Sequence, residues 1–194
     1  GVDLLSLSGS KIEGAGRVGG LYKKNSVLLA PLLAGGDQEG GLRPGTENLE
    51  AIVQFANAFE FVQKNKKKEI TRLTKLRNYF IAQLSRLSRT VLDIKFNGDL
   101  KNRLPNNVNI TIPNIPSDLL VIELSERGIC VSSKSACKAH DGKASHVIKA
   151  INPKLKETDG SLRFSLGRDT TKKDIDRTIK ALSKILTKLK KWYN

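Results

Sequence analysis

The chain contains no methionine, and aromatic residues make up only 5% of it. A stretch of 194 residues that lacks Met even at its first position, and opens Gly-Val-Asp, reads as a piece of a longer protein. Residues 1–7 read as a buried strand with no lead-in, as in the middle of a domain. No apolar run approaches the ~20 residues that a membrane-spanning helix requires. The opening also lacks the charged, apolar and small-residue succession of a secretory signal. Cysteine is scarce: Cys130 and Cys137 lie close together and form no disulfide framework, so a reducing, cytoplasmic setting is expected. With six residues between them, they match no common zinc spacing. Aromatics interleaved with basic residues, the pattern that stacks on bases, are absent as well.

Positive charge is plentiful. The net charge is +15, from 34 basic and 19 acidic residues, which raises the question of nucleic acid. The excess is concentrated at 64–68 and 172–191, where it alternates with periodic apolar positions as on a solvated helix face. Nucleic acid is therefore disfavoured as a partner, and a weakly bound acidic protein remains open. With 39% apolar residues the chain can bury a core.

Residues 2–8 are apolar and end at Ser-Gly, which suits a core strand. Glycines 14, 16, 19 and 20 follow, and Leu21 and Tyr22 suggest a second strand. A glycine-rich loop spans 35–45. Thr46 can cap a helix carrying Leu49, Ile52, Val53, Ala56 and Phe59, and a second helical pattern runs over 70–87. The charged residues 64–69 between them form either a continuous helix or a bend. Asn97, Gly98 and Asp99 signal a turn. Residues 108–112, Val-Asn-Ile-Thr-Ile, alternate as a half-buried strand. Ser117 can cap a helix that Gly128 ends, and 129–131 reads as a short strand with Cys130 in the core. Residues 132–143 form a polar loop, 162–166 a further strand. Thr171 and Asp174 resemble a capping box before a terminal helix with Ile175, Ile179, Leu182, Ile185, Leu186 and Leu189 on one face. The organisation is α/β at the start and α+β afterwards, with a boundary near residue 66.

Three places carry candidate chemistry. Lys11 follows a strand and precedes a glycine-rich turn, where a partly desolvated amine suits Schiff-base formation. The hydroxyls of Ser8 and Ser10 can bind a phosphate beside it. Alone, this is equally a surface lysine or an ordinary phosphate site. Cys137 sits in the 132–143 loop among small residues and cations, with Lys134, Lys138 and His140 favouring thiolate over thiol. An incidental loop cysteine is the alternative. Arg163, on the strand face opposite Leu162 and Phe164, can hold a carboxylate with two parallel hydrogen bonds, or be a surface arginine.

Four stretches then combine. They are Ser-Leu-Ser-Gly-Ser-Lys at 6–11, Gly-Gly-Asp-Gln-Glu-Gly-Gly-Leu-Arg-Pro-Gly-Thr at 35–46, Ser-Ser-Lys-Ser-Ala-Cys at 132–137 and Leu-Arg-Phe-Ser-Leu-Gly-Arg at 162–168. In this order and at these intervals the chain resembles the C-terminal half of cysteine desulfurases of the NifS/IscS type, in the class V aminotransferase family. The resemblance implies the fold type I architecture of pyridoxal-phosphate (PLP) enzymes: a remnant of the PLP-binding large domain at 1–66 and a small C-terminal domain at 67–194. It implies a homodimer acting on L-cysteine. Lys11 would bind PLP and move the α-proton, and Ser8 and Ser10 would bind its phosphate. Thr46 would reach the phosphate of the neighbouring subunit, Arg163 would clamp the substrate carboxylate, and Cys137 would take the sulfur as a persulfide. An iron–sulfur scaffold or sulfur-carrier protein would accept it.

The long polar loop points to the long-loop group of that family. Ser10 replaces the family's usual histidine, which implies weaker cofactor retention, and Lys134 replaces a glycine. The family's ring-stacking histidine, pyridinium-pairing aspartate and nearby glutamine fall upstream of Gly1, so these residues alone are expected to be inactive. The other readings are a class V aminotransferase or lyase without sulfur transfer, which needs no loop thiol, and a non-enzymatic basic binding module.

Overall fold

A computed structural model describes residues 1–133, 145–154, 156 and 159–193. The chain divides into two compact units, Gly1–Lys67 and Lys68–Asn194.

In the first unit, β1 (Leu4–Ser8) pairs antiparallel with β2 (Gly19–Lys23), Leu4 opposite Lys23 and Ser8 opposite Gly19. The expected core strand is instead an exposed ribbon: Leu4 and Leu5 are 45% and 44% accessible. Two strands alone have no second layer to cover both faces. The small residues at 14–20 let α1 (Leu49–Thr90) approach closely, with Gly20 against the Phe55 ring and Ala15 fully buried.

Helix α1 runs unbroken for 42 residues through the lysine-rich stretch, because no glycine or proline interrupts residues 46–97. It does not begin at Thr46. Asn48 is the cap, its Oδ1 accepting the Ala51 N–H at 3.1 Å. A short polar side chain three residues ahead of a free N–H is the required geometry, and Asn48 meets it. The anticipated apolar stripe of this first part stays exposed, Leu49 and Val53 above half.

The second unit holds the core. Strands β3 (Lys95–Phe96), β4 (Asn107–Ile112) and β5 (Gly160–Ser165) form an antiparallel sheet in that order. Alternation sends Val108, Ile110, Ile112, Leu162 and Phe164 to one face. Against it pack α2 (Ser117–Ser125), the later turns of α1 and α4 (Lys172–Tyr193), contributing Phe80, Leu84, Leu120, Leu124, Leu182, Ile185 and Leu186. Phe80 meets Phe164 edge to face at 5.0 Å. A short helix α3 (His146–Ile151) precedes β5.

Ser117 is the first residue of α2 rather than its cap. Pro116 stands at the cap position and makes no side-chain bond. Gly128, at φ +70, ends the turn after α2 as expected, and the Ile129 N–H returns to Leu124 O at 3.0 Å. Residues 129–131 form no strand. The chain touches the sheet at one bridge, Ser132 to Arg163, and Cys130 is exposed rather than in the core. An apolar neighbourhood in sequence buries a side chain only where strand pairing continues. The Thr171–Asp174 capping box is present: Asp174 Oδ2 accepts the Thr171 N–H at 2.8 Å, and the Asp174 N–H meets Thr171 Oγ1 at 3.3 Å.

Helix α2 is clasped to α4 through Glu123, whose carboxylate binds Lys188 at 2.7 Å and Arg127 at 2.9 Å. The Lys188 hydrogen bond, aided by Arg127, holds the Glu123 carboxyl below the usual carboxylate range against the opposing effect of burial. A depressed folded-state value contributes stability above the ordinary glutamate value, and that contribution is lost as pH falls through the lower one. Glu123→Gln should remove this part of the acid sensitivity, read as a shallower fall of urea midpoint with decreasing pH. A variant as acid-sensitive as the parent would contradict the clasp. Leu182 is fully buried, so Leu182→Ala should lower unfolding free energy by about 2–5 kcal/mol in the same titration.

Candidate active site

The turn that carries Lys11 is built by Gly9. A single 3-10 turn, Gly9–Lys11, follows β1 directly. The Gly9 N–H binds Val18 O at 2.6 Å, and a Cβ on Gly9 would stand 2.5 Å from that same oxygen. Only glycine fits there. The turn brings Ser8 Oγ within 2.9 Å of Ser10 Oγ, with Lys11 next in sequence. All three side chains are exposed, so the partial burial expected for Lys11 is not found among the described residues. Two hydroxyls side by side and an adjoining primary amine are a donor set for a phosphate and an aldehyde, and so fit PLP.

The glycine-rich loop is folded back on itself. A Cβ on Gly35 would overlap Pro44, and Gln38 Oε1 accepts the Gly45 N–H at 3.1 Å. Glu39, Gly40, Gly41 and Gly45 all adopt positive φ. Thr46 leaves this pinned loop exposed, and no hydrogen bond joins it to Ser8, Ser10 or Lys11.

In the second unit, Arg163 lies mid-strand in β5 with its side chain on the face away from Leu162 and Phe164, as the alternation predicts. It is half-buried, and its guanidinium has no hydrogen-bond or ion-pair partner among the described residues. Its backbone exchanges two hydrogen bonds with Ser132, at 2.7 and 3.2 Å. Ser132 and Ser133 are thus the rooted end of the segment that contains Cys137. Cys137, Lys134, Lys138 and His140 themselves lie outside the described residues.

Two anchors were not anticipated. Arg72 of α1 donates to the carbonyls of Gly167, Arg168 and Thr170 at 2.7–3.0 Å, fixing the turn that follows β5. Asn97, Asn109, Thr111 and Ser161 form a hydrogen-bonded row on the polar face of the sheet. Asn109 and Thr111 were legible as the polar half of the β4 alternation; Arg72 had no signal among so many basic residues.

The family model described as aminotransferase class-V matches residues 1–178. The chain belongs to the aminotransferase class-V family. Among its relatives, a cysteine desulfurase IscS from Dictyoglomus turgidum is 40% identical over 190 residues, which is 98% of this chain and 48% of that protein. A cysteine desulfurase IscS from Methanosarcina thermophila is 39% identical over 189 residues, 97% of this chain and 46% of the other. A solved NifS-like protein superimposes with TM-score 0.84 at 31% identity, over 97% of this chain and 47% of its own. The NifS-like protein from Rickettsia africae gives 0.81 at 30% identity, over 95% and 48%. The chain spans about half the length of the relatives it matches. Its α/β fold is the one these class V proteins share, as the four motifs imply.

Gly9→Ala tests the construction of the Lys11 turn. The added methyl should displace Val18 or break the 2.6 Å bond, at a cost of about 1–3 kcal/mol. Hydrogen exchange at the Gly9 and Ile12 amides should accelerate; unchanged protection would show that the turn tolerates a side chain.

Proposed function

We propose that the protein containing this chain is a PLP-dependent cysteine desulfurase. It takes sulfur from L-cysteine, leaves L-alanine, and carries the sulfur as a persulfide on Cys137 to an iron–sulfur scaffold or sulfur-carrier protein. The observation that carries this reading is the Ser132–Arg163 bridge. It roots the cysteine-bearing segment on the very residue whose guanidinium has no partner among the described residues. Cys137 follows Ser132 by five positions, a reach of at most ~18 Å. A transaminase or lyase has no use for a thiol tethered there, and a basic binding module leaves the Lys11 turn without a purpose.

The roles follow from the chemistry of each group. Ser8 and Ser10 hold the cofactor phosphate, and Thr46 reaches the phosphate of the neighbouring subunit in a homodimer. Lys11 holds the cofactor at its aldehyde carbon and moves the proton at the substrate α-carbon. When bound, PLP supplies the electron sink that acidifies that proton and lets the C–S bond break. Arg163 binds the substrate carboxylate through paired N–H groups. The Cys137 thiolate attacks the substrate sulfur, forming an S–S bond as the C–S bond breaks. The electron pair leaves with carbon, which takes a proton, so cysteine and thiol become alanine and persulfide. Thiol chemistry of this kind belongs to a reducing, cytoplasmic setting. Ser10 supplies one neutral hydroxyl in the place where related enzymes carry histidine, so cofactor retention is weaker.

The test uses the whole protein. Lys11→Ala should abolish the visible absorbance of the lysine-bound cofactor together with alanine formation. Cys137→Ser should keep that absorbance while sulfur release from L-cysteine falls at least 100-fold, on the order of a lost nucleophile. Full activity in Cys137→Ser would favour the aminotransferase or lyase reading instead.

A further inference from the structure

The strand register sets a second polar group against Arg163. Both backbone groups of Arg163 are turned toward Ser132, with which it exchanges two hydrogen bonds. On its other side Arg163 pairs with Asn109 of β4. In an antiparallel ladder a residue's N–H and C=O point the same way, so the Arg163–Asn109 pair is of the non-hydrogen-bonded kind. Such pairs bring Cα atoms to about 4.5 Å and side chains to their closest approach. Both residues leave the face opposite Val108, Ile110, Leu162 and Phe164.

The Asn109 amide is held in one orientation. Its Oδ1 accepts from Asn97 Nδ2 at 2.8 Å. Asn97 is itself fixed, since its Nδ2 also lies 2.8 Å from Thr111 Oγ1 and Thr111 Oγ1 stands 3.1 Å from Ser161 Oγ. Asn97, Thr111 and Ser161 are 7%, 1% and 5% accessible, so this network is buried and rigid, whereas Asn109 and Arg163 remain half-buried. With its Oδ1 turned to Asn97, the Asn109 amide presents its NH2 group as a donor on the other side. Neither that group nor the Arg163 guanidinium has an acceptor among the described residues. A close pair that presents N–H donors, one charged and one neutral, is complementary to a carboxylate.

We propose that Asn109 is a second substrate-binding residue: its Nδ2 donates to the α-carboxylate of L-cysteine alongside Arg163, with Asn97 as its positioning residue. This rests on the desulfurase reading, through the role of Arg163. The arrangement makes the site selective for α-amino acids over amines that lack the carboxylate.

The experiment uses the whole, cofactor-loaded protein and compares KM for L-cysteine with the inhibition constant of cysteamine, the same thiol and amine without the carboxylate. Asn109→Ala should raise KM about tenfold, the size expected for one hydrogen bond to a charged group. Its kcat, its visible absorbance and its cysteamine constant should stay unchanged. Arg163→Lys should raise KM further. Asn109→Asp, of the same shape, should weaken L-cysteine at least as much as the alanine variant does, because it removes the donor and adds a like charge. If both asparagine variants keep the parental KM while Arg163→Lys does not, the Asn109 role is wrong and the desulfurase reading stands. If all three keep it, Arg163 does not bind the carboxylate and that reading loses its anchor. Equal weakening of L-cysteine and cysteamine by Asn109→Ala would mean a merely structural residue, and would overturn the proposal.

Discussion

Successive side chains of a strand leave opposite faces, so β4 and β5 cannot bury Ile110 and Leu162 without turning Asn109 and Arg163 the other way. The second unit depends on this constraint. A one-residue slip of β4 along β5 would turn Val108, Ile110 and Ile112 out of the core and set Asn109 and Thr111 into the apolar layer. The burial that stabilises the core is therefore the same event that fixes the polar face. The Asn97, Thr111 and Ser161 network adds specificity, because its buried groups are satisfied only in this register.

The first unit is held differently. A two-stranded ribbon is marginal by itself. Its order comes from close backbone approaches that only small residues permit: Gly9 on Val18, Gly35 on Pro44, Gly20 under Phe55. Meanwhile Leu4, Leu5, Leu49 and Val53 remain exposed. The apolar content of these segments is thus unrelated to burial within this chain, although the pattern is one that a larger sheet or helical layer would use. Local geometry places Ser8, Ser10 and Lys11 together without any help from a core.

Where one covering layer existed, periodicity read the fold well. The α4 stripe, the β4 alternation, the Arg163 face and the Thr171–Asp174 box all follow from sequence. Where covering depended on groups outside the element, it failed. Residues 2–8 and Cys130 have the apolar surroundings of core positions, yet pairing stops before it can enclose them. Thr46 and Asn48 are both competent caps by type, and only the path of the loop out of Gly45 decides between them. The candidate site was legible in proportion to its locality. Ser8, Ser10 and Lys11 are neighbours in sequence; the pairing of Ser132 with Arg163 spans 31 positions and is invisible until the sheet is formed.

That distant pairing gives the proposed chemistry an economical basis. The backbone of Arg163 anchors Ser132, where the thiol-bearing segment starts, and under the proposed function its side chain is the one that takes the substrate carboxylate. In that proposal a strand residue sets the origin of the segment that carries Cys137, the residue assigned to take the substrate sulfur and pass it on. The anchoring uses only backbone groups, and the guanidinium has no partner among the described residues, so the two proposed tasks draw on different donors. A side-chain anchor would have forced a choice between holding the substrate and holding the loop. Ser132 therefore contributes through its position in the ladder, which almost any residue could supply, whereas Arg163 contributes through both its main chain and its charge. On this reading, a substitution at Ser132 that preserves strand geometry is mild, and one at Arg163 is not.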